Sequence, residues 1–388
     1  MNERPATSEV LSLSTQGGSV PLGYLREAST VFLVARERSA QWPIEVLRTG
    51  RARLLLEDGW RDGVVELIGS PADRTAILER FRAKYGEEKF RRWYDRPARL
   101  LRIQLLDGGD LGEDPTRYRR WLEAEFDAVA ADYDHHITGN RMNRLLRDRS
   151  LARLRTLFPP GARVIEVGCG SGMETLPLLR SGREIVAVDI SKEMLDVVRT
   201  KAIAEGLTER LETHHVRARE LPALAKELGA ESLDGGYSTY GALNCEPDLR
   251  PIADGFRTLL RPGAPLLLGV YNRWCLFELV GYTLGLQWSR ALGRRTNPVP
   301  VGASRFCIDI YAYSVADVRS VFASGFDVHA LEGVPVLLPP SDLTVYAEKF
   351  SRRFDRLAGW DRAVGRRWPF QGLGDHFLME LRRAPGGN

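Results

Sequence analysis

Arg163-Val-Ile-Glu-Val-Gly-Cys-Gly-Ser-Gly-Met-Glu-Thr-Leu176, with Glu184-Ile-Val-Ala-Val-Asp-Ile-Ser-Lys-Glu-Met194 close behind it, carries the pattern from which the rest of this 388-residue chain can be laid out. Val164, Ile165 and Val167 form a short β-branched run, as expected of a buried strand. The run breaks into Gly168, Gly170 and Gly172, and an apolar helical pattern (Leu176, Leu178, Leu179) follows. Strand, glycine turn and helix make the first half of a βαβ unit. Glycines allow φ > 0 and carry no Cβ, so a ligand can lie against the backbone while helix-start N–H groups face it. A second buried strand, Ile185 to Val188, ends in Asp189, about 20 residues past the first glycine, where a carboxylate can hold a pair of ribose hydroxyls.

A dinucleotide fingerprint places its third glycine five positions after the first, but here that position is Met173, followed by Glu174. An extra acidic group near a helix start opposes pyrophosphate and suits a cationic ligand. The spacing Glu166-x-Gly168-x-Gly170-x-Gly172, then Asp189-Ile-Ser-x-x-Met194-Leu195, closely resembles the class I S-adenosylmethionine-dependent methyltransferases. By that resemblance Glu166 and the loop Gly168, Cys169, Gly170 and Gly172 hold the methionine part. Asp189 takes the ribose hydroxyls, and Ile190 and Met194 flank adenine. The expected fold is an α/β, doubly wound, Rossmann-like seven-stranded sheet, preceded by a small α+β split-barrel domain. Two alternatives stay open: a nicotinamide- or flavin-dependent oxidoreductase, and a catalytically silent adenosyl-binding scaffold.

Composition narrows the class. The chain is long enough for two domains. Its net charge is only +4, from 55 basic and 51 acidic residues, so no basic field points to nucleic acid. Cys169, Cys245, Cys275 and Cys307 are far apart and show no metal-binding spacing, as expected of reduced thiols in a cytoplasmic protein with no metal. The opening Met-Asn-Glu-Arg-Pro lacks a signal peptide's apolar core. The apolar stretch Trp274 to Trp288 is too short to span a bilayer, so no membrane partner is expected.

Residues 1–17 are polar and read as frayed. Short strands are expected at Val20–Leu25, Thr30–Ala35, Arg51–Leu56, Gly63–Ile68 and Ala98–Leu105, around a long amphipathic helix from Ala72 that aligns Ile77, Leu78, Phe81 and Tyr85. This order, over about residues 18–106, resembles the split β-barrel flavin- and deazaflavin-binding reductases. The resemblance is carried by Tyr24, Val31 to Arg36, Ser39 to Trp42, and Phe81 to Tyr94. It implies a flavin or deazaflavin phosphate site at Arg36, Arg38 and Ser39, or alternatively a cofactor-free docking or homodimerisation module. The glycine-rich acidic run 107–114 reads as a linker, leaving 115–388 as the methyltransferase-like domain.

In that second part, Phe126 to Asp134 resembles the helix before the glycine motif, with Tyr133 covering the methionine. His135 and His136 follow on an expected loop. A third strand runs from Leu211 to Val216. Arg217 stands where relatives carry an acidic residue for adenine, leaving the backbone of Ala218 and Arg219 to bind it. The fourth strand leads into Tyr237-Ser-Thr-Tyr240-Gly-Ala-Leu-Asn244, at the sheet edge where ligands bind in such folds. Tyr237 is therefore expected against the cofactor, and Tyr240 and Asn244 against the methyl acceptor. Insertions at about 273–306 and 339–371 read as lids, and Gly374 to Leu381 as the last strand. Methyl transfer needs alignment above all, and a base only where the acceptor must lose a proton. The candidates for catalysis are Tyr240, Asn244, His135, His136 and His376, and the expected partner is a small-molecule methyl acceptor.

Overall fold

A computed structural model of the chain describes residues 9–36, 41–94, 97–106, 114, 116–299, 306–341 and 354–385. They belong to two compact units: residues 1–129 with 301–309, and residues 130–300 with 310–388. The division falls at Val129/Ala130 rather than in the run 107–114, and a short later segment belongs to the first unit. Residues 107–113, and Arg38 and Ser39, lie outside the described residues.

The first unit is a closed six-stranded barrel. Its elements are β1 (Val10–Thr15), β2 (Gly18–Glu27), β3 (Thr30–Arg36), α1 (Trp42–Thr49), β4 (Arg51–Leu56), β5 (Gly59–Leu67), α2 (Pro71–Tyr94), β6 (Pro97–Leu105) and α3 (Arg117–Val129). The strand order is β1-β2-β3-β6-β5-β4, and β1 pairs with β4 to close the ring. Period-2 alternation sends Ala52, Leu54 and Leu56 inward from β4. The expectation that residues 10–17 fray is corrected: β1 is a full strand, because Leu11 and Leu13 alternate into the barrel with no exposed surface. Within α2, Gly86 at φ 75° interrupts the helix, and Phe81, Tyr85, Phe90 and Tyr94 are buried on either side of it.

Segment 306–309 is fastened inside this unit. The Trp121 indole N–H donates to the Cys307 carbonyl at 2.8 Å, the Cys307 amide donates to Glu125 at 2.9 Å, and Arg48 meets Asp309 at 2.6 Å. Glu125 is fully buried and paired with Arg99, which is itself buried. Burial pushes the Glu125 carboxyl up, against the pull of Arg99 and the Cys307 amide. Removing one member of such a pair leaves a buried charge uncompensated. Glu125→Ala should therefore destabilise the protein by about 3–5 kcal/mol. Chemical denaturation of the two proteins checks this; a loss below about 1 kcal/mol would remove the pair from the account of stability.

The second unit holds α4 (Tyr133–Thr138), α5 (Arg141–Leu157), β7 (Arg163–Val167), α6 (Thr175–Arg180), β8 (Glu184–Asp189), α7 (Lys192–Ala204), β9 (Leu211–His215), α8 (Leu221–Leu228), β10 (Gly235–Ser238), α9 (Arg250–Leu259), β11 (Pro265–Tyr271), α10 (Leu276–Leu284), α11 (Trp288–Ala291), α12 (Val315–Phe322), β12 (Phe326–Val334), α13 (Phe354–Gly365) and β13 (His376–Arg383). The sheet order is β12-β13-β11-β10-β7-β8-β9. This is the expected doubly wound, seven-stranded α/β sheet. The strands from β11 to β9 run parallel, while β13 is antiparallel to both neighbours. Alternate residues feed two cores: Ile165, Val167, Val186 and Leu266 on one face, and Val164, Ile185, Ala187 and Leu267 on the other. The order reverses beside β7, so the crevice for a ligand opens at the carboxyl ends of β7 and β10. The insertion after β11 forms α10 and α11, and no residue of α10 is fully buried. Residues 300–305 and 342–353 of the two expected lids lie outside the described residues. No helix among the described residues is long and apolar enough to cross a membrane.

Candidate functional site

β7 ends in a loop whose three glycines all have left-handed backbone: Gly168 at φ 79°, Gly170 at φ 51° and Gly172 at φ 84°. Two of them are also points of close approach. A Cβ on Gly168 would lie 2.3 Å from the Ala242 Cβ, and one on Gly172 would lie 3.1 Å from Val198. The Tyr133 ring stands over Gly170, 3.6 Å from where a Cβ would be. Asp189, at the end of β8, is held from two sides. Gly170 N–H donates to one oxygen at 2.8 Å and Ser191 N–H to the other at 2.9 Å. Each carboxylate oxygen can accept two hydrogen bonds, so this clamp aims the carboxylate without exhausting it. Ser191 also caps α7 through the Met194 amide, which leaves Met194 buried and Ile190 partly exposed beside it.

Beneath the loop, Glu166 is buried and accepts the Thr175 hydroxyl at 2.5 Å. Burial and the nearby Glu174 push its carboxyl up to about 8, outweighing the Thr175 hydrogen bond, the neighbouring Tyr237 hydroxyl and the charge of Arg147. Tyr237 is wholly buried beside Glu166, and burial drives its hydroxyl well above the ordinary tyrosine range. It lies under the loop rather than facing outward, a correction to its expected place. Cys169 is buried, and that burial raises its thiol, so it is no nucleophile.

Arg147 and Lys201, which sequence reasoning passed over, complete this end of the crevice together with Asp134, the last residue of the stretch it did name. Arg147 of α5 pairs with buried Glu174 at 2.5 Å and feels Tyr133, Tyr240 and Glu166. Asp134 accepts from the Ser171 hydroxyl and pairs with Lys201, whose ammonium also donates to the Ser171 carbonyl at 2.8 Å. Asp134 thereby ties the Tyr133 turn to the glycine loop and to α7. The clue available was Asp134 directly after Tyr133; for Arg147 the sequence offered none.

At the adenine side, Ala218 is buried and Arg219 exposed. Arg217 is engaged with Glu246 in a buried bidentate pair, both contacts 2.6 Å. The acid therefore comes from the loop after β10 and is spent on the arginine.

The remaining candidates separate. Tyr240 sits just past β10 with φ 53° and donates its hydroxyl to the Leu146 carbonyl. Asn244 does not face an acceptor: it is buried, its Nδ2 donates to the Tyr271 and Tyr311 carbonyls at 3.2 and 2.7 Å, and its Oδ1 accepts the Tyr271 amide at 2.9 Å. Those bonds use it to fix the end of β11. His135 is exposed and lies in α4 rather than a loop, and His136 shares that helix, though its side chain is outside the description. His376 joins Tyr240: their rings meet edge to face at 5.5 Å. Cys275, Glu278 and Asp375 bring ligand atoms within 4.8 Å of one another, but Arg294 bridges Glu278 and Asp375 and supplies the cation there.

Residues 164–263 match the family model described as a methyltransferase domain. Over 117 residues the chain is 32% identical to the ubiquinone biosynthesis O-methyltransferase of Xanthomonas axonopodis pv. citri (strain 306), covering 30% of this chain and 46% of that protein. It is 26% identical over 157 residues to the tRNA 5-carboxymethoxyuridine methyltransferase of Escherichia coli (strain K12), covering 39% and 57%. The chain thus spans about half the length of these curated relatives. Among solved structures, an S-adenosylmethionine-dependent methyltransferase from Mesorhizobium loti aligns at 18% identity, with 60% of this chain and 96% of that chain covered and a TM-score of 0.41.

Proposed function

We propose that this chain, which carries a methyltransferase domain over residues 164–263, moves the methyl group of S-adenosylmethionine to a small organic acceptor. The observation that carries this reading is the left-handed glycine loop with Asp189 clamped behind it, over a buried Glu166 that makes no ion pair among the described residues. The residues fit such a cofactor. Asp189 would hold the ribose hydroxyls, and Ile190 and Met194 would flank adenine. The amides near Ala218 and Arg219 would meet the adenine edge. Arg147 would meet a methionine carboxylate and Glu166 its ammonium, with Tyr133 covering both. Once bound, the cofactor supplies an electrophilic methyl on a sulfonium; the chain's own contribution is alignment and exclusion of water.

Calorimetry with S-adenosylhomocysteine tests this. Loss of a charged hydrogen bond costs about 1.5–3 kcal/mol, so Asp189→Ala should weaken binding by roughly tenfold to a hundredfold. A nearby ammonium favours ionised Glu166, so binding should lower its value from about 8 and release a proton. Since the free protein then holds more protons than the complex, affinity should rise with pH through neutrality and level off above about 8. Glu166→Gln should remove that slope. Equal affinity in wild type and Asp189→Ala, or proton uptake on binding, would sink the assignment.

A further inference from the structure

β13 enters the sheet from the edge where the parallel strands end, so its first residue, His376, pairs with Tyr271 at the carboxyl end of β11. The imidazole is met edge-on by Tyr240 at 5.5 Å and by Tyr271 at 5.4 Å. Its Nδ1 lies 3.1 Å from one oxygen of Asp375, which is buried. The other Asp375 oxygen accepts from the Arg294 guanidinium at 2.7 Å, and Arg294 is also bidentate to Glu278 of α10, at 2.8 and 2.5 Å. Arg294 further donates to the Asn272 and Asp375 carbonyls and stacks on Tyr271, 4.1 Å from the ring centre. Burial opposes ionisation of Asp375, but Arg294 and His376 outweigh it and hold the carboxyl well below the usual range.

An ionised carboxylate only accepts, so it fixes the proton of a neutral imidazole on Nδ1 and leaves the lone pair on Nε2. Among the described residues no hydrogen bond is made to Nε2. The groups facing the ring are Asp375, Arg294 and Glu278 behind it, Tyr240 and Tyr271, with Arg147 beyond Tyr240. Neither tyrosine competes as a base. The Tyr240 hydroxyl is donated to Leu146 and raised by burial, and an ordinary tyrosine hydroxyl, such as that of Tyr271, is protonated at neutrality.

Resting on the methyl-transfer reading above, we propose that His376, oriented by Asp375 and Arg294, is the general base of the reaction and that the acceptor is a phenol-type hydroxyl. A hydroxyl of that class ionises near pH 10 and is almost wholly protonated at neutrality, so it gains most from a base in place. A free amine already carries its lone pair, and a thiol ionises closer to neutrality. Nε2 takes the hydroxyl proton as the oxygen lone pair forms the O–C bond to the methyl carbon. The C–S bond breaks, and its electron pair stays on sulfur, which becomes a neutral thioether. The imidazolium passes its proton to water once the ether has left. Arg294 belongs to the insertion after β11, so that segment orients the base.

The test uses the full-length protein, methyl-labelled S-adenosylmethionine, and three probes that share a ring and differ in the acceptor atom: catechol, aniline and thiophenol. Label should enter catechol alone, as a methyl ether. His376→Ala and His376→Gln should each lower kcat by roughly 100-fold or more, with KM for catechol and affinity for S-adenosylhomocysteine little changed. Added imidazole should restore His376→Ala by roughly tenfold or more, and Asp375→Asn should fall between that variant and wild type. Four outcomes would overturn the proposal: transfer to aniline or thiophenol instead; no transfer to any probe while S-adenosylhomocysteine still binds; an unchanged rate in both His376 variants; or a fall that imidazole does not relieve. If wild type fails to bind S-adenosylhomocysteine, the methyl-transfer reading itself falls.

Discussion

Alanine at Gly168 will weaken S-adenosylhomocysteine binding by roughly a hundredfold or more and cost the fold about 2–5 kcal/mol. Two effects add. Gly168 holds φ 79°, a left-handed backbone that an L side chain resists, and the new methyl would lie 2.3 Å from the Ala242 Cβ. Relief requires the turn after β10 to move off the loop, which shifts Tyr240 as well. Gly206 separates the terms: it has φ 67° and nothing within 4 Å of an added Cβ, so Gly206→Ala carries the backbone strain without the clash. Thermal melts and calorimetry on both variants give the comparison. If the two variants lose equal stability and Gly168→Ala binds normally, the close approach of loop and turn has no part in the site.

A fragment beginning at residue 115 should fail to give a soluble, cooperatively melting protein, although it contains every strand of the sheet. The acidic glycine run invited a cut there. The first unit, however, includes α3, where Trp121, Leu122 and Glu125 are buried, and segment 306–309, where Cys307, Ile308 and Asp309 are buried. In the fragment these residues lose the barrel, which exposes the apolar side chains of Trp121, Leu122, Cys307 and Ile308 and leaves Glu125 and Asp309 without Arg99 and Arg48. The partner experiment starts at residue 130 and replaces 301–309 with a short polar linker. That version should be soluble and should bind S-adenosylhomocysteine. A 115–388 fragment that melts cooperatively with wild-type affinity would show that α3, segment 306–309 and the sheet domain need nothing from the barrel strands.

What the amino-acid sequence makes legible follows from how local the physics is. The glycine loop and β8 could be read because left-handed backbone and a carboxylate at a strand end each demand particular residues at fixed spacing. β1 could not, because its two inward leucines alternate with Ser12 and Ser14 and look like a polar tail until β4 supplies the other side of the pairing. Asn244 looked like an acceptor contact because it is polar and follows a strand, but the backbone of Tyr271 at the end of β11 and the Tyr311 carbonyl claim its amide. Arg147 was hidden among the arginines of α5, which share the spacing of a solvated helix face; only its pairing with Glu174 marks it out. His376 could be named as a candidate. Its partners could not be, since they depend on the register of an antiparallel strand against one more than a hundred residues earlier.

The return of residues 301–309 to the first unit has a consequence for how the protein is made. Leaving the ribosome, the six barrel strands emerge first, yet the segment that accepts from Trp121 and donates to Glu125 emerges only after β11, α10 and α11. Domains ordinarily finish in the order in which they are synthesised; here the unit that starts first must wait for chain made late. The order also limits how such a gene can change. A ready-made barrel joined to a ready-made sheet would share one junction, whereas this chain passes between its units at 129/130, at 300/301 and at 309/310. Exchanging the barrel for another module would therefore require a second, distant edit, in the segment that returns to it.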